Sequence, residues 1–146
     1  MRVSAVMSSP VHRISPEQSI FDAAKLMASD DIGALPVIDD DELVGIVTDR
    51  DIIVRAVANG IDLDEGVTSI MSRDVQTCRP NDDLGEVLDQ MADLQLRRLP
   101  VSGDDGSVVG ILTIGDVARA EPGEDEVGEA LSEICTPEAE FAQGIA

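Results

Sequence analysis

Residues 35–51, LPVIDDDELVGIVTDRD, and residues 99–116, LPVSGDDGSVVGILTIGD, are one pattern written twice. Each starts with Leu-Pro-Val, passes an acidic or glycine-rich turn, and ends an apolar run in Gly-x-x-Thr-x-x-Asp. The likeness continues upstream at a shift of 64 residues, which lays Met7 and Ser8 on Met71 and Ser72, Val11 on Val75, Pro16 on Pro80, and Met27-Ala28 on Met91-Ala92. One extra residue in the second turn makes the shift 65, after which Val44, Gly45, Ile46, Thr48 and Asp51 fall on Val109, Gly110, Ile111, Thr113 and Asp116. Self-similarity of this order decides the architecture before any single motif does.

Both copies share one coarse grammar. A short extended piece, Val11 to Ile14 or Val75 to Cys78, is followed by a proline and then by an N-cap residue, Ser19 or Asp83, that starts a helix. Ile20, Ala23, Ala24 and Met27, and in the second copy Leu84, Val87, Leu88 and Met91, recur at the spacing of one buried helical face. Leu35 to Ile38 and Leu43 to Val47 read as a hairpin about Asp39, Asp40 and Asp41, with Ser102 to Gly106 as the longer second turn. A second helix is expected after Thr48 and after Thr113. The fold class is therefore α/β in the α+β sense. The copies divide into 1–60 and 67–120, with a connector at 61–66 and an acidic C-terminal helix and tail at 121–146, where Val127, Ala130, Leu131 and Ile134 keep helical spacing. A unit of about 55 residues is marginal by itself, so the copies are expected to pair about a pseudo-twofold, leaving a symmetric cleft between them.

Composition narrows the function. Thirty acids against ten bases give a formal net charge of -20, which opposes attraction to nucleic acid and to anionic membranes. Two Phe with neither Trp nor Tyr leave almost no stacking platform for single-stranded nucleic acid. A small anionic ligand stays compatible with this charge, because screening over about 8 Å lets a local basic cluster act against a distant acidic surface. Cys78 and Cys135 have no metal-ligand spacing, and His12 is the sole histidine, so neither a metal site nor a Cys/His nucleophile is expected. Two reduced thiols are the simpler reading, with a disulfide left open. No apolar run approaches the roughly 20 residues that span a bilayer, and the start has no apolar signal core; a cytoplasmic location without membrane contact is expected.

The repeated Thr-x-x-Asp has two readings. Thr followed at the third position by an acid resembles a capping box, with the preceding glycine serving close packing. Alternatively, free N–H groups at a helix start and a Thr hydroxyl attract phosphate, while the Asp, repelled by phosphate, accepts from ribose hydroxyls. The two are compatible. Arg97 and Arg98, whose repeat partners are Gly33 and Ala34, would add forked donors for phosphate on the Thr113 side of the molecule, or else form a solvated face. Two unequal sites follow, with the Thr113 and Asp116 site the stronger for phosphates. Arg50 beside Asp51 either compensates in part at the other site or forms a surface ion pair.

The duplicated order of proline, helix, "LPV", hairpin, "GIVTDRD" and "GILTIGD" resembles the CBS domain pair, or Bateman module, over about residues 1–120. "DIGALPVID" and "TDRDI" are similar to the stand-alone two-CBS proteins of the hypoxic response protein type. The resemblance implies tandem β-α-β-β-α repeats in a disc-like module that often dimerises, with adenosine nucleotides as the commonest ligands. Carried over by position, the ribose acid is Asp51 and Asp116, the hydroxyl Thr48 and Thr113, and the phosphate donors Arg98 and Arg97. Backbone contacts to adenine fall near Ile32, Gly33 and Ala34 of the opposite copy, with Ser9 and Val11 from the leading extended piece.

These readings together give a non-catalytic regulatory module that senses AMP, ADP or ATP in the inter-repeat cleft, with no obligatory cofactor. No P-loop, nucleophile with base or paired carboxylate supports an enzyme. Partners are a small adenosine ligand, a second copy in a homodimer, and a protein target in trans whose identity the sequence leaves open. The alternatives are a ligand-free interaction and dimerisation scaffold, in which Thr-x-x-Asp only caps helices, and a binder of S-adenosylmethionine or a dinucleotide.

Overall fold

A computed structural model describes residues 1–9 and 11–120, together with Gly128, Ala130 and Ile134. The expectations for Val127 and Leu131 lie outside the described residues. Mixed helices and small antiparallel sheets follow the repeat grammar in order: α1 (Ile20–Asp30), β1 (Ala34–Asp39), β2 (Glu42–Thr48) and α2 (Asp49–Asp51), then α3 (Leu84–Leu94), β3 (Arg98–Ser102), β4 (Val108–Thr113) and α4 (Ile114–Arg119). Short 3-10 turns at Val3–Ala5 and Val67–Ser69 occupy matching places ahead of the two copies.

Local chemistry sets the boundaries. Ser19 opens α1 with a reciprocal cap: its hydroxyl accepts from the Asp22 N–H at 3.0 Å, and the Asp22 carboxylate accepts from the Ser19 N–H at 3.1 Å. Asp83 does half of this for α3, accepting from the Glu86 N–H at 3.2 Å. Both helices end in a left-handed residue, Asp31 (φ 53°) and Gln95 (φ 54°), where a glycine is the commoner choice. The first hairpin turns on Asp40 and Asp41 at φ 47° and 65°, the pair of positive angles that a tight two-residue turn needs to match strand twist.

The Leu-Pro-Val motif has a backbone explanation. Ile14 runs parallel to β1, its N–H donating to the Pro36 carbonyl at 3.1 Å and its carbonyl accepting from the Ile38 N–H at 2.9 Å. Cys78 repeats this on β3 with the Pro100 carbonyl and the Ser102 N–H at 3.1 and 2.8 Å. Each ladder uses the proline's carbonyl and never asks for the N–H it lacks.

Among the described residues the chain forms two compact units, one of residues 1–9, 77–104 and 109–120, the other of residues 11–76 and 105–108. Each unit therefore combines the helix and hairpin of one copy with the leader that precedes the other copy in sequence. In the first unit Val3 joins Leu84, Val87, Leu88, Met91, Leu99, Val101, Leu112 and Val117 in one core, which Ala130 and Ile134 also enter. In the second, Val67, Ile70 and Met71 join Ile14, Ile20, Ala23, Met27, Leu35, Val37 and Val47. The borrowed leader supplies apolar surface that a half of this size is short of.

Glycine makes room for that leader. A methyl group at Gly45 would lie 2.5 Å from the Met71 sulfur and 2.9 Å from the Ser72 carbonyl oxygen; at Gly110 it would lie 2.7 Å from the Met7 sulfur and 3.0 Å from the Ser8 carbonyl oxygen. The close approach lets Ile46 exchange two 2.9 Å backbone hydrogen bonds with Ser72, and Ile111 exchange bonds of 2.8 and 3.0 Å with Ser8. The second helix of the first copy departs from expectation in one respect. After the single α turn Asp49–Asp51 the chain winds as a π-helix over Ile52–Val57, burying Ile52 and Ala56.

Candidate functional site

Each hairpin delivers its last strand residue, a threonine, to the start of a helix. Thr48 and Thr113 have nearly the same extended backbone, φ -118° and -117°. The Thr48 hydroxyl oxygen accepts from the Asp51 N–H at 3.1 Å, and the Asp51 Oδ2 accepts from the Thr48 N–H at 2.9 Å. The Thr113 and Asp116 pair repeats this at 3.1 and 3.2 Å. The capping reading of Thr-x-x-Asp therefore holds in both copies. It does not exhaust the groups. A threonine oxygen that accepts an N–H still has its hydroxyl hydrogen to donate, and a carboxylate offers about four acceptor positions, of which the cap uses one.

Both carboxylates are largely enclosed, with side-chain exposures of 14% for Asp51 and 9% for Asp116. Their remaining neighbours differ. Arg55 Nε lies 3.6 Å from Asp51 Oδ1, while the same guanidinium donates through Nη1 to the Ile70 carbonyl at 3.1 Å, tying the π-helical segment to the leader. Asp116 instead receives the Ser8 hydroxyl at 3.2 Å from both of its oxygens and Arg119 Nη2 at 2.8 Å on Oδ1. Ser8 is thus a site residue that sequence reasoning missed. Its match with Ser72 was visible, but the polar contact depends on the leader lying against β4.

The other expected site residues fall into two groups. In the first unit, the Arg97 carbonyl accepts from the Ile114 N–H at 3.0 Å, which ties the backbone just ahead of β3 to the start of α4, with half-buried Arg98 next in chain. Neither arginine is ion-paired among the described residues. Exposed Ser9 also belongs to this unit. In the second unit, Gly33 stands where Arg97 does, its carbonyl accepting from the Asp49 N–H at 3.0 Å, and buried Ala34 pairs in register with Thr48. Ile32 and Val11, both partly buried, belong to this unit as well. The first unit therefore brings the backbone of an arginine pair, not ion-paired among the described residues, to the helix start that carries the hydroxyl and the carboxylate; the second has small neutral residues at the positions of that pair.

Other polar groups are engaged elsewhere. His12 Nδ1 lies 3.1 Å from Asp30 Oδ2 on an exposed surface. Cys78 is a free, buried thiol whose pKa is pushed up to about 11 by its burial and then by the charge of Asp82. Among the described residues no cluster of three or more His, Cys, Asp or Glu could hold a metal, and no helix is long and apolar enough to cross a membrane.

The family model for the CBS domain matches residues 3–57 and again residues 67–123. CBS domain-containing protein YhcV of Bacillus subtilis is 38% identical over 132 residues, covering 90% of this chain and 94% of that protein. Hypoxic response protein 1 of Mycobacterium tuberculosis is 35% identical over 136 residues, covering 92% and 94%. Among solved structures, the CBS domain pair of protein MJ0100 in complex with 5'-methylthioadenosine and S-adenosyl-L-methionine matches with a TM-score of 0.76 at 31% identity, covering 82% of this chain and 94% of that one. CBSX2 in complex with AMP matches with a TM-score of 0.71 at 30% identity, covering 82% and 94%.

Proposed function

The chain belongs to the CBS domain family, and from that membership we propose that it is a non-catalytic regulatory module whose two Thr-x-x-Asp sites receive the ribose and phosphate of an adenine nucleotide, AMP, ADP or ATP. The observation that carries this reading is the backbone bond from the Ile114 N–H to the Arg97 carbonyl, which brings the segment of Arg97 and Arg98, neither ion-paired among the described residues, to the helix start where the Thr113 hydroxyl and the Asp116 carboxylate stand. In this assignment Asp51 and Asp116 accept from ribose hydroxyls, Thr48 and Thr113 donate to phosphate oxygens, and Arg98, with Arg97, balances phosphate charge. Ile32, Gly33 and Ala34, with Ser9 and Val11, supply backbone contacts to the base. The AMP complex of CBSX2 supports the ligand class. A cytoplasmic homodimer whose ligand occupancy is read by a protein partner completes the proposal, with 1–60 and 67–120 as its repeats.

A second reading has its own observation. With Gly33 and Ala34 where the other copy has arginines, the Thr48 and Asp51 site suits an adenosine compound that carries no phosphate, and the MJ0100 complex supports S-adenosylmethionine or methylthioadenosine as that class. Thermal shift and calorimetry with adenosine, AMP, ADP, ATP and S-adenosylmethionine test both readings, since a ligand at a hundred times its Kd adds about 2.7 kcal/mol of stability. Nucleotides are expected to raise Tm more than adenosine does. Absence of any shift at millimolar concentration would leave the ligand-free interaction scaffold as the function.

A further inference from the structure

Asp51 and Asp116 share one capping geometry, yet their free acceptor capacity is unequal. Asp51 uses Oδ2 on the Thr48 N–H, and its Oδ1 lies 3.6 Å from Arg55 Nε, beyond a hydrogen bond. That arginine is already committed to the Ile70 carbonyl. Asp116 is hydrogen-bonded from three directions: Thr113 N–H on Oδ2, the Ser8 hydroxyl across both oxygens, and Arg119 Nη2 on Oδ1 at 2.8 Å. A ribose diol brings two O–H donors and needs open acceptors. Asp51 offers them; Asp116 offers them only after a resident donor leaves.

We infer that Arg119 is an internal competitor for ribose at Asp116, so that a ligand enters the Thr113 and Asp116 site by displacing the Arg119 guanidinium from Oδ1. This rests on the nucleotide reading given above. Arg119 is the charged donor able to leave, because its side chain is 75% exposed and can swing into water; the Thr113 N–H is fixed by the backbone, and the neutral Ser8 hydroxyl, longer at 3.2 Å, can rotate aside at smaller cost. Displacement leaves the guanidinium solvated, so the penalty is that of an exposed ion pair rather than of a buried orphan charge. The two copies thereby acquire different thresholds for the same sugar.

The test uses the full chain carrying Asp51→Ala, in which Asp116 is the remaining ribose carboxylate, with adenosine as the probe so that phosphate contacts play no part. Adding Arg119→Ala, or Arg119→Met to keep the apolar stem, should tighten adenosine about two- to fivefold in calorimetry, the range of an exposed ion pair. A gain of affinity is a sign that loss of a structural contact would not give. Unchanged or weaker adenosine binding in both double variants would overturn the inference and leave the nucleotide reading standing. Binding by the native chain but by none of the Asp51→Ala chains would also overturn it, since Asp116 would then take no ribose. Absence of binding by the native chain and every variant, to adenosine and to ATP alike, would overturn both.

Discussion

Replacing Gly45 by alanine places one methyl group where the leader crosses β2. The added carbon would meet the Met71 sulfur at 2.5 Å and the Ser72 carbonyl oxygen at 2.9 Å, against an ordinary contact of about 3.5 Å or more. Methionine can swing its sulfur aside. The Ser72 carbonyl cannot move freely, because it accepts the Ile46 N–H while the Ser72 N–H donates to the Ile46 carbonyl, both at 2.9 Å. Several tenths of an ångström of retreat would stretch both bonds and lift Val67, Ile70 and Met71 from the core they complete. Overpacking of this kind costs about 1–3 kcal/mol. At about 3–4 °C per kcal/mol for a chain of this size, Tm should fall by roughly 3–12 °C. Calorimetry on Gly45→Ala beside Gly66→Ala gives an internal control, since a methyl at Gly66 meets nothing closer than 3.5 Å and its φ of -66° suits alanine. Equal Tm values for both variants and the native chain would refute the idea that glycine is required there by the crossing leader.

Three further outcomes are expected. Thr113→Ala removes one side of the α4 cap and should destabilise the chain by about 1 kcal/mol in urea denaturation, with a midpoint equal to the native one counting against the cap. Arg98→Ala should weaken ATP by more than it weakens adenosine in paired titrations; equal losses would remove Arg98 from the phosphate. Cys78 titrates near 11 when folded against an ordinary 9.0, so its burial contributes stability that is intact below pH 9 and is lost as pH rises toward 11. The Tm difference between the native chain and Cys78→Ala should therefore shrink from pH 8 to pH 10.5, and a difference that stays constant would contradict the thiol's environment.

The features legible in the sequence are those that local chemistry writes. Ser19 and Asp83 announced their helices because capping is a short-range exchange, and the apolar spacing of Ile20, Ala23 and Met27 needs only the helical period. The first hairpin is legible as two short apolar runs about an acidic turn, although Asp39 falls in the strand and the tight turn is Asp40 and Asp41 alone. Thr48 and Thr113 stood out as repeated capping candidates for the same reason. Choices made across long sequence separations were not legible. Met7 and Ser8 align with Met71 and Ser72, but the alignment does not say that each leader crosses to the other copy's hairpin. The consequence most relevant to function, Ser8 reaching Asp116 over an interval of 108 residues, is invisible for that reason. The π-helical winding of Ile52–Val57 was hidden as well, because apolar residues at 52 and 56 suit an α-helix as readily as a π-helix.

The central claim is that the helix-capping carboxylates also hold a sugar. Calorimetric titration of AMP into the native chain, Asp51→Ala and Asp116→Ala addresses it directly, with circular dichroism to establish that each variant is folded. Loss of hydrogen bonds to a charged group is worth about 1.5–3 kcal/mol, so affinity at the altered site should fall roughly ten- to a hundredfold. AMP binding of unchanged strength and stoichiometry in both folded variants would mean that these two aspartates serve their helices alone.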